Sequence, residues 1–118
     1  MVIIIAGTIE IEPSVRDAAL AAGRELEAAT RRQEGCLNYA WTTDGLSDST
    51  IYVFERWASE EALAAHFQGP NYNGMRAVLG SYGIRGADIS KYRIDIAEPV
   101  YDATGTPRAD FFTASGSA

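Results

Sequence analysis

The chain of 118 residues contains one cysteine, Cys36, and one histidine, His66. A single cysteine closes no intrachain disulfide, which excludes a small secreted scaffold held by bridges. One histidine and one cysteine also fall short of the nitrogen and sulfur ligand set of a usual zinc site. Positive charge is scarce: 10 Lys and Arg stand against 16 Asp and Glu, for a formal net charge of −6. Nucleic-acid binding rests on clustered cations, so no nucleic-acid partner is expected. No stretch reaches the roughly 18 apolar residues that cross a bilayer, so no membrane association is expected. The apolar start from Val2 lacks the basic segment of a secretory signal, and Glu10 and Glu12 interrupt it early. A cytoplasmic protein is the expectation. The glycines Gly80, Gly83 and Gly86 have the wrong spacing for a phosphate loop, and no Gly-x-Ser-x-Gly elbow occurs. The carboxylates are scattered, with no cluster that calls for a divalent cation.

What is present reads as one globular domain, with 47% hydrophobic and 22% charged residues. Val2 to Ile11 is almost continuously apolar and β-branched, as in a strand buried on both faces. Pro13 suits the first turn of a helix. From Ser14 to about Arg32, Val15, Ala18, Ala19, Ala22, Leu26 and Ala29 recur at helical spacing, and Gly35 is a natural stop. Cys36 to Thr43 and Thr50 to Trp57 are short aromatic-rich runs around the turn cluster Asp44 to Ser49, a hairpin pattern. Ser59 is placed as an N-cap, followed by Glu60 and Glu61 in a first turn. Leu63, His66 and Phe67 share one side of that helix, Gly69 breaks it, and Pro70 opens another carrying Tyr72, Met75, Leu79 and Tyr82. Asp88 to Val100 alternates, with Tyr92, Ile94 and Ile96 on one face and Lys91, Arg93 and Asp95 on the other, as in an edge strand.

The order is β-α-β-β-α-β, an α+β, ferredoxin-like arrangement with a four-stranded antiparallel sheet and helices on one face. Residues 1–101 form the expected domain and 102–118 an extension outside its core, in which only Phe111 and Phe112 are large and apolar. Those two rings are placed to dock on a second copy or over a pocket mouth. The hairpin strands carry large apolar groups on both faces, Tyr52 and Phe54 opposing Ile51, Val53 and Trp57. Helices cover one face only, so the pattern predicts that a second copy covers the other, as a homodimer.

His66 is the only imidazole, hence the only unshifted group that exchanges a proton near neutrality. Against this stands the ordinary reading, a core histidine satisfied by one hydrogen bond. Trp57 ends a strand whose face includes Glu55, an acid in an otherwise apolar run; packing and pairing with an arginine are their plain explanations. Cys36 has no basic neighbour in sequence to activate it and reads as an inert thiol.

Three segments carry a family likeness: Glu34-Gly35-Cys36-Leu37-x-Tyr39, Tyr52-x-Phe54-Glu55-Arg56-Trp57, and Ser59-Glu60-Glu61-Ala62-Leu63-x-Ala65-His66-Phe67. Together they resemble the antibiotic biosynthesis monooxygenase family, in its quinol monooxygenase-like branch. The resemblance implies a dimeric α/β barrel and oxidation of phenols, hydroquinones or polycyclic aromatics by O₂ without metal, flavin or haem, so no cofactor is expected. It places His66 and Trp57 beside a pocket between sheet and helices. His66 would take a proton, Trp57 and Trp41 would bound the ring, and Tyr72 would donate to a developing oxyanion. A related haem-degrading branch uses an Asn on the first strand, where this chain has Ala6-Gly7-Thr8. The competing expectation is a non-catalytic dimeric protein that uses the same fold to hold a small molecule.

Overall fold

The structure, a computed structural model, describes residues 1–113, so the last five positions of the expected extension lie outside the described residues. It contains β1 (Ile3–Ile11), α1 (Pro13–Ala22), α2 (Arg24–Arg31), β2 (Cys36–Thr43), β3 (Thr50–Trp57), α3 (Glu60–Gln68), α4 (Pro70–Tyr82) and β4 (Ile84–Arg93). The strands form one antiparallel sheet in the order β2-β3-β1-β4, the ferredoxin-like topology. Alternation sends Ile3, Ile5, Ile9 and Ile11 of β1 and Ile51, Val53 and Trp57 of β3 inward to the helices, where all are buried.

The first helical stretch is two helices rather than the single one its periodicity predicts. They meet at Gly23, where a Cβ would lie 2.8 Å from the Met75 sulfur of α4. The backbone tightens there, Gly23 N–H reaching both Ala19 O at 3.2 Å and Leu20 O at 3.1 Å. Beyond the bend, α2 is tied to edge strand β2 through Glu27. This buried carboxylate accepts from Arg24 (2.7 Å), Arg31 (3.1 Å) and the Trp41 N–H (3.4 Å), while Arg31 Nε donates to Tyr39 O at 2.7 Å. As expected, the Ser59 hydroxyl caps α3, accepting from Ala62 N–H at 3.1 Å.

The last strand departs from the sequence reading. It runs over Ile84–Arg93, beginning four residues before and ending seven residues before the Asp88 to Val100 that the alternation predicts. Its register explains the shift: Ile84 pairs with Ile11 and Arg93 with Ile3, so β1 runs out as β4 does. One further bond, Ile94 N–H to Val2 O at 2.9 Å, ends the association. Gly83, in a left-handed conformation with φ of 82°, makes the turn from α4 straight into β4. The faces follow the register. Lys91 and Arg93 share the inner face with Ile5 and Ile3, and Tyr92 shares the outer face with Ile4.

On that outer face Tyr52, Phe54 and Tyr92 are left 47%, 41% and 52% exposed by the described residues. After β4, Glu98 accepts from Phe112 N–H and Thr113 N–H, and Asp102 from Thr104 N–H and Thr106 N–H, so these hydrogen bonds of the tail close on the tail itself. Among the described residues, no helix is long and apolar enough to cross a membrane.

Gly7 sits mid-sheet, where a Cβ would press into the β4 backbone, 2.6 Å from Ile89 Cα. Gly7→Ala is therefore expected to lower stability in urea unfolding by about 1–3 kcal/mol. Gly80, inside α4 with open space around it, is the control. Gly80→Ala should raise stability by about 0.5–1 kcal/mol.

Candidate functional site

Helix cover thins out toward β4, most of whose residues stay exposed although β1 pairs along its length. Between β4 and α4 lies an open cleft of about 900 Å³. Its floor is the inner sheet face at Ile5, Ile9 and Val53, and its far side is Ile84, Ala87 and Ile89 of β4. Helical spacing brings Tyr72, Arg76, Leu79 and Gly80 of α4 onto the same wall. Trp41 and Phe67 complete the apolar lining. A smaller hollow of about 500 Å³ adjoins and shares Phe67 and Lys91 with it.

Among the described residues, the one acidic side chain lining the larger cleft is Glu55, 6% exposed. It stands in the inward row Tyr39–Glu55–Ile5–Lys91, which runs across all four strands. Its Oε1 accepts from Trp57 Nε1 at 2.9 Å, and the other oxygen has no hydrogen-bond partner among the described residues. Burial pushes the Glu55 pKa up to about 6, and the Trp57 hydrogen bond pulls partly the other way. The group is thus an anion at neutral pH that takes up a proton a little below it.

Of the expected site residues, Trp41 and Tyr72 line the cleft, whereas His66 and Trp57 lie one layer behind it. Trp57 is fully buried and His66 is 1% exposed. Their rings stack with centroids 4.6 Å apart, and Tyr39, Phe67 and Tyr72 close around the imidazole at 5.6–5.9 Å. His66 Nδ1 donates to Gln33 Oε1 at 2.9 Å, an oxygen that also accepts from Asn71 at 3.2 Å. Burial holds the His66 pKa below its ordinary value, which keeps the ring neutral. His66 therefore supports two cleft residues, Phe67 and Tyr72, from behind.

The indole Nε1 of Trp41 is buried without a well-formed hydrogen bond and lies near the Tyr39 hydroxyl. Burial also raises the pKa of Tyr39 and of Cys36, which leaves both as neutral donors. No three potential metal ligands cluster among the described residues. The residue that sequence reasoning undervalued is Glu55. Its signal was an acid at an inward position of an apolar strand, two residues before a Trp whose indole needs an acceptor.

Comparison with known proteins agrees with this architecture. The family profile described as antibiotic biosynthesis monooxygenase matches residues 1–78, and the chain belongs to that family. A candidate antibiotic biosynthesis monooxygenase from Deinococcus radiodurans superposes with a TM-score of 0.76 at 20% identity, covering 85% of this chain and 99% of that one. A similarly named protein from Caulobacter crescentus gives 0.72 at 23% identity, over 82% and 91% of the two chains. These likenesses establish the fold alone. An uncharacterised Synechocystis protein, sll1783, is 27% identical over 92 residues, or 78% of this chain. The match spans 63% of that relative's own length.

Because folding raises the Glu55 pKa, the stability its neutral form contributes is present below its unfolded value and is lost as pH rises through about 6. Glu55→Gln removes this dependence. Relative to wild type, the variant should gain about 1 kcal/mol in urea unfolding between about pH 5 and about pH 8.

Proposed function

We propose that the chain is a dimeric monooxygenase that oxidises a phenolic, hydroquinone or polycyclic aromatic substrate with O₂, using the substrate's own electrons. The observation that carries this reading is the cleft itself: an aromatic and aliphatic slot with one buried, elevated-pKa carboxylate on its wall. In this reading the ring lies against Trp41 and Tyr72, with its hydroxyl on the unbonded oxygen of Glu55. Glu55 takes the hydroxyl proton, and the phenolate passes one electron to O₂. The phenoxyl and superoxide radicals join at a ring carbon ortho or para to the oxygen, whichever still bears hydrogen. Protonation yields a hydroperoxide that loses water and leaves a carbonyl at that carbon. One oxygen atom ends in the quinone and the other in water, with no outside reductant. The cleft walls hold the flat ring and limit bulk water during the radical step. The proton-acceptor role expected for His66 passes in this account to Glu55, and His66 becomes a positioning residue behind Trp57 and Tyr72.

The burial of the imidazole favours a second reading, a dimeric binding protein without turnover. Oxygen consumption with a panel of hydroquinones and naphthols separates the two. The monooxygenase reading expects uptake by wild type that falls by about 100-fold in Glu55→Gln. His66→Asn should alter it much less. Binding without uptake across the panel supports the second reading.

The homodimer is proposed on the exposed sheet face, where Tyr52, Phe54 and Tyr92 stand uncovered. Sedimentation at micromolar concentration should show a dimer for wild type and a monomer for Phe54→Asp. A monomeric wild type contradicts it.

A further inference from the structure

The cations of this acidic chain are unevenly used. Five of the ten, Arg16, Arg24, Arg31, Arg85 and Arg108, are held in ion pairs. Of the remaining five, Arg76 and Lys91 line the cleft and Arg93 lines the adjoining hollow. None of these three has an ion pair among the described residues. Arg76 instead rests over the Tyr72 ring, its guanidinium carbon 5.7 Å from the centroid. In a protein of net charge −6, carboxylates to neutralise them are plentiful, yet among the described residues the only acids lining these two hollows are Glu55 and Glu60.

Register then sets a distance. Glu55 and Lys91 flank Ile5 in one inward row, with Glu55 on β3 and Lys91 on β4. Two strand spacings separate their backbones by about 10 Å. Between them the floor is the Ile5 side chain, apolar and buried. A flat ring lying over Ile5 therefore meets a hydrogen-bond acceptor at one end and positive charge at the other. Arg76 lines the same cleft from the helix wall, beside Tyr72. A neutral hydroquinone leaves the cationic end unmatched, whereas a ring with a hydroxyl at one end and a carboxylate at the opposite end satisfies both.

We infer that the cleft selects hydroxy-aromatic carboxylates, binding the hydroxyl at Glu55 and the carboxylate between Lys91 and Arg76. This rests on the cleft being the substrate site and names the substrate class it takes. The pairing is charge-assisted on the acid side, and Arg76 offers a planar donor fork suited to a carboxylate.

The test compares para-hydroxybenzoate with its amide, para-hydroxybenzamide, by titration calorimetry on the full chain. The acid is expected to bind at least tenfold more tightly than the amide in wild type. In the double variant Lys91→Gln/Arg76→Gln that preference should disappear, with the affinity for the amide changing by less than threefold. The unchanged amide affinity shows that the variant is folded and its cleft intact. Equal wild-type affinities for acid and amide, or a preference that survives in the double variant, overturn the inference. In that case Lys91 and Arg93 serve as charges that guard the β4 edge against stray strand pairing. Such failure leaves the monooxygenase reading standing if neutral hydroquinones still consume oxygen. Failure of both probes to bind overturns the inference, and the monooxygenase reading falls with it when hydroquinones and naphthols also consume no oxygen.

Discussion

The structure turns on how far the helices reach across the sheet. Four short helices lie on one face of four strands, and their cover is full over β3 and β1 but thin at β4. Strand β4 is held chiefly by its ladder to β1, and the glycine at position 7 lets its backbone approach closely. Were the helices to cover β4 as well, the inner face would be a closed core. Because they do not, a slot opens between α4 and β4, floored by the apolar residues that elsewhere make the core. The site is thus an unfinished part of the hydrophobic layer.

Glu55 is intelligible only in that setting. A carboxylate at an inward position of β3 would be costly in a closed core, because its charge would lose water with too few partners in return. At the wall of the slot, one oxygen is held by the Trp57 indole and the other has no hydrogen-bond partner among the described residues. The fully buried Trp57 ring is in turn fixed by its packing on His66, whose Nδ1–H donates to Gln33 Oε1. A chain of contacts from α2's C-terminal turn through α3 to β3 therefore orients the acid without filling the slot. The same packing keeps the imidazole neutral and behind the wall.

Much of this was legible in the sequence. The hairpin bounds at Cys36, Thr43, Thr50 and Trp57, the cap at Ser59 and the helix break at Gly69 follow from local chemistry, which needs no knowledge of distant contacts. The bend at Gly23 was hidden because the close neighbour that leaves no room for a side chain there is Met75, 52 positions along the chain. The limits of β4 were hidden for a similar reason. Alternation of Ile94 and Ile96 looks like a strand, but pairing stops where β1 ends. The alternation also set Lys91 and Arg93 opposite the face of Tyr92, and the register with Ile5 and Ile3 puts that charged face inward. His66 drew notice as the sole titratable imidazole, yet periodicity reports only which side of a helix faces inward. Whether an inward residue lines a hollow or sits behind its wall depends on the packing of Trp57 and Tyr72, which no spacing encodes.

The most direct test of the account is a crystal structure of the protein with a hydroxy-aromatic ligand. The account predicts the ring in the slot over Ile5, between Trp41 and Tyr72, with its hydroxyl about 2.5–3 Å from a Glu55 carboxyl oxygen. A ring bound elsewhere, or one in the slot with its hydroxyl turned away from Glu55, would contradict it.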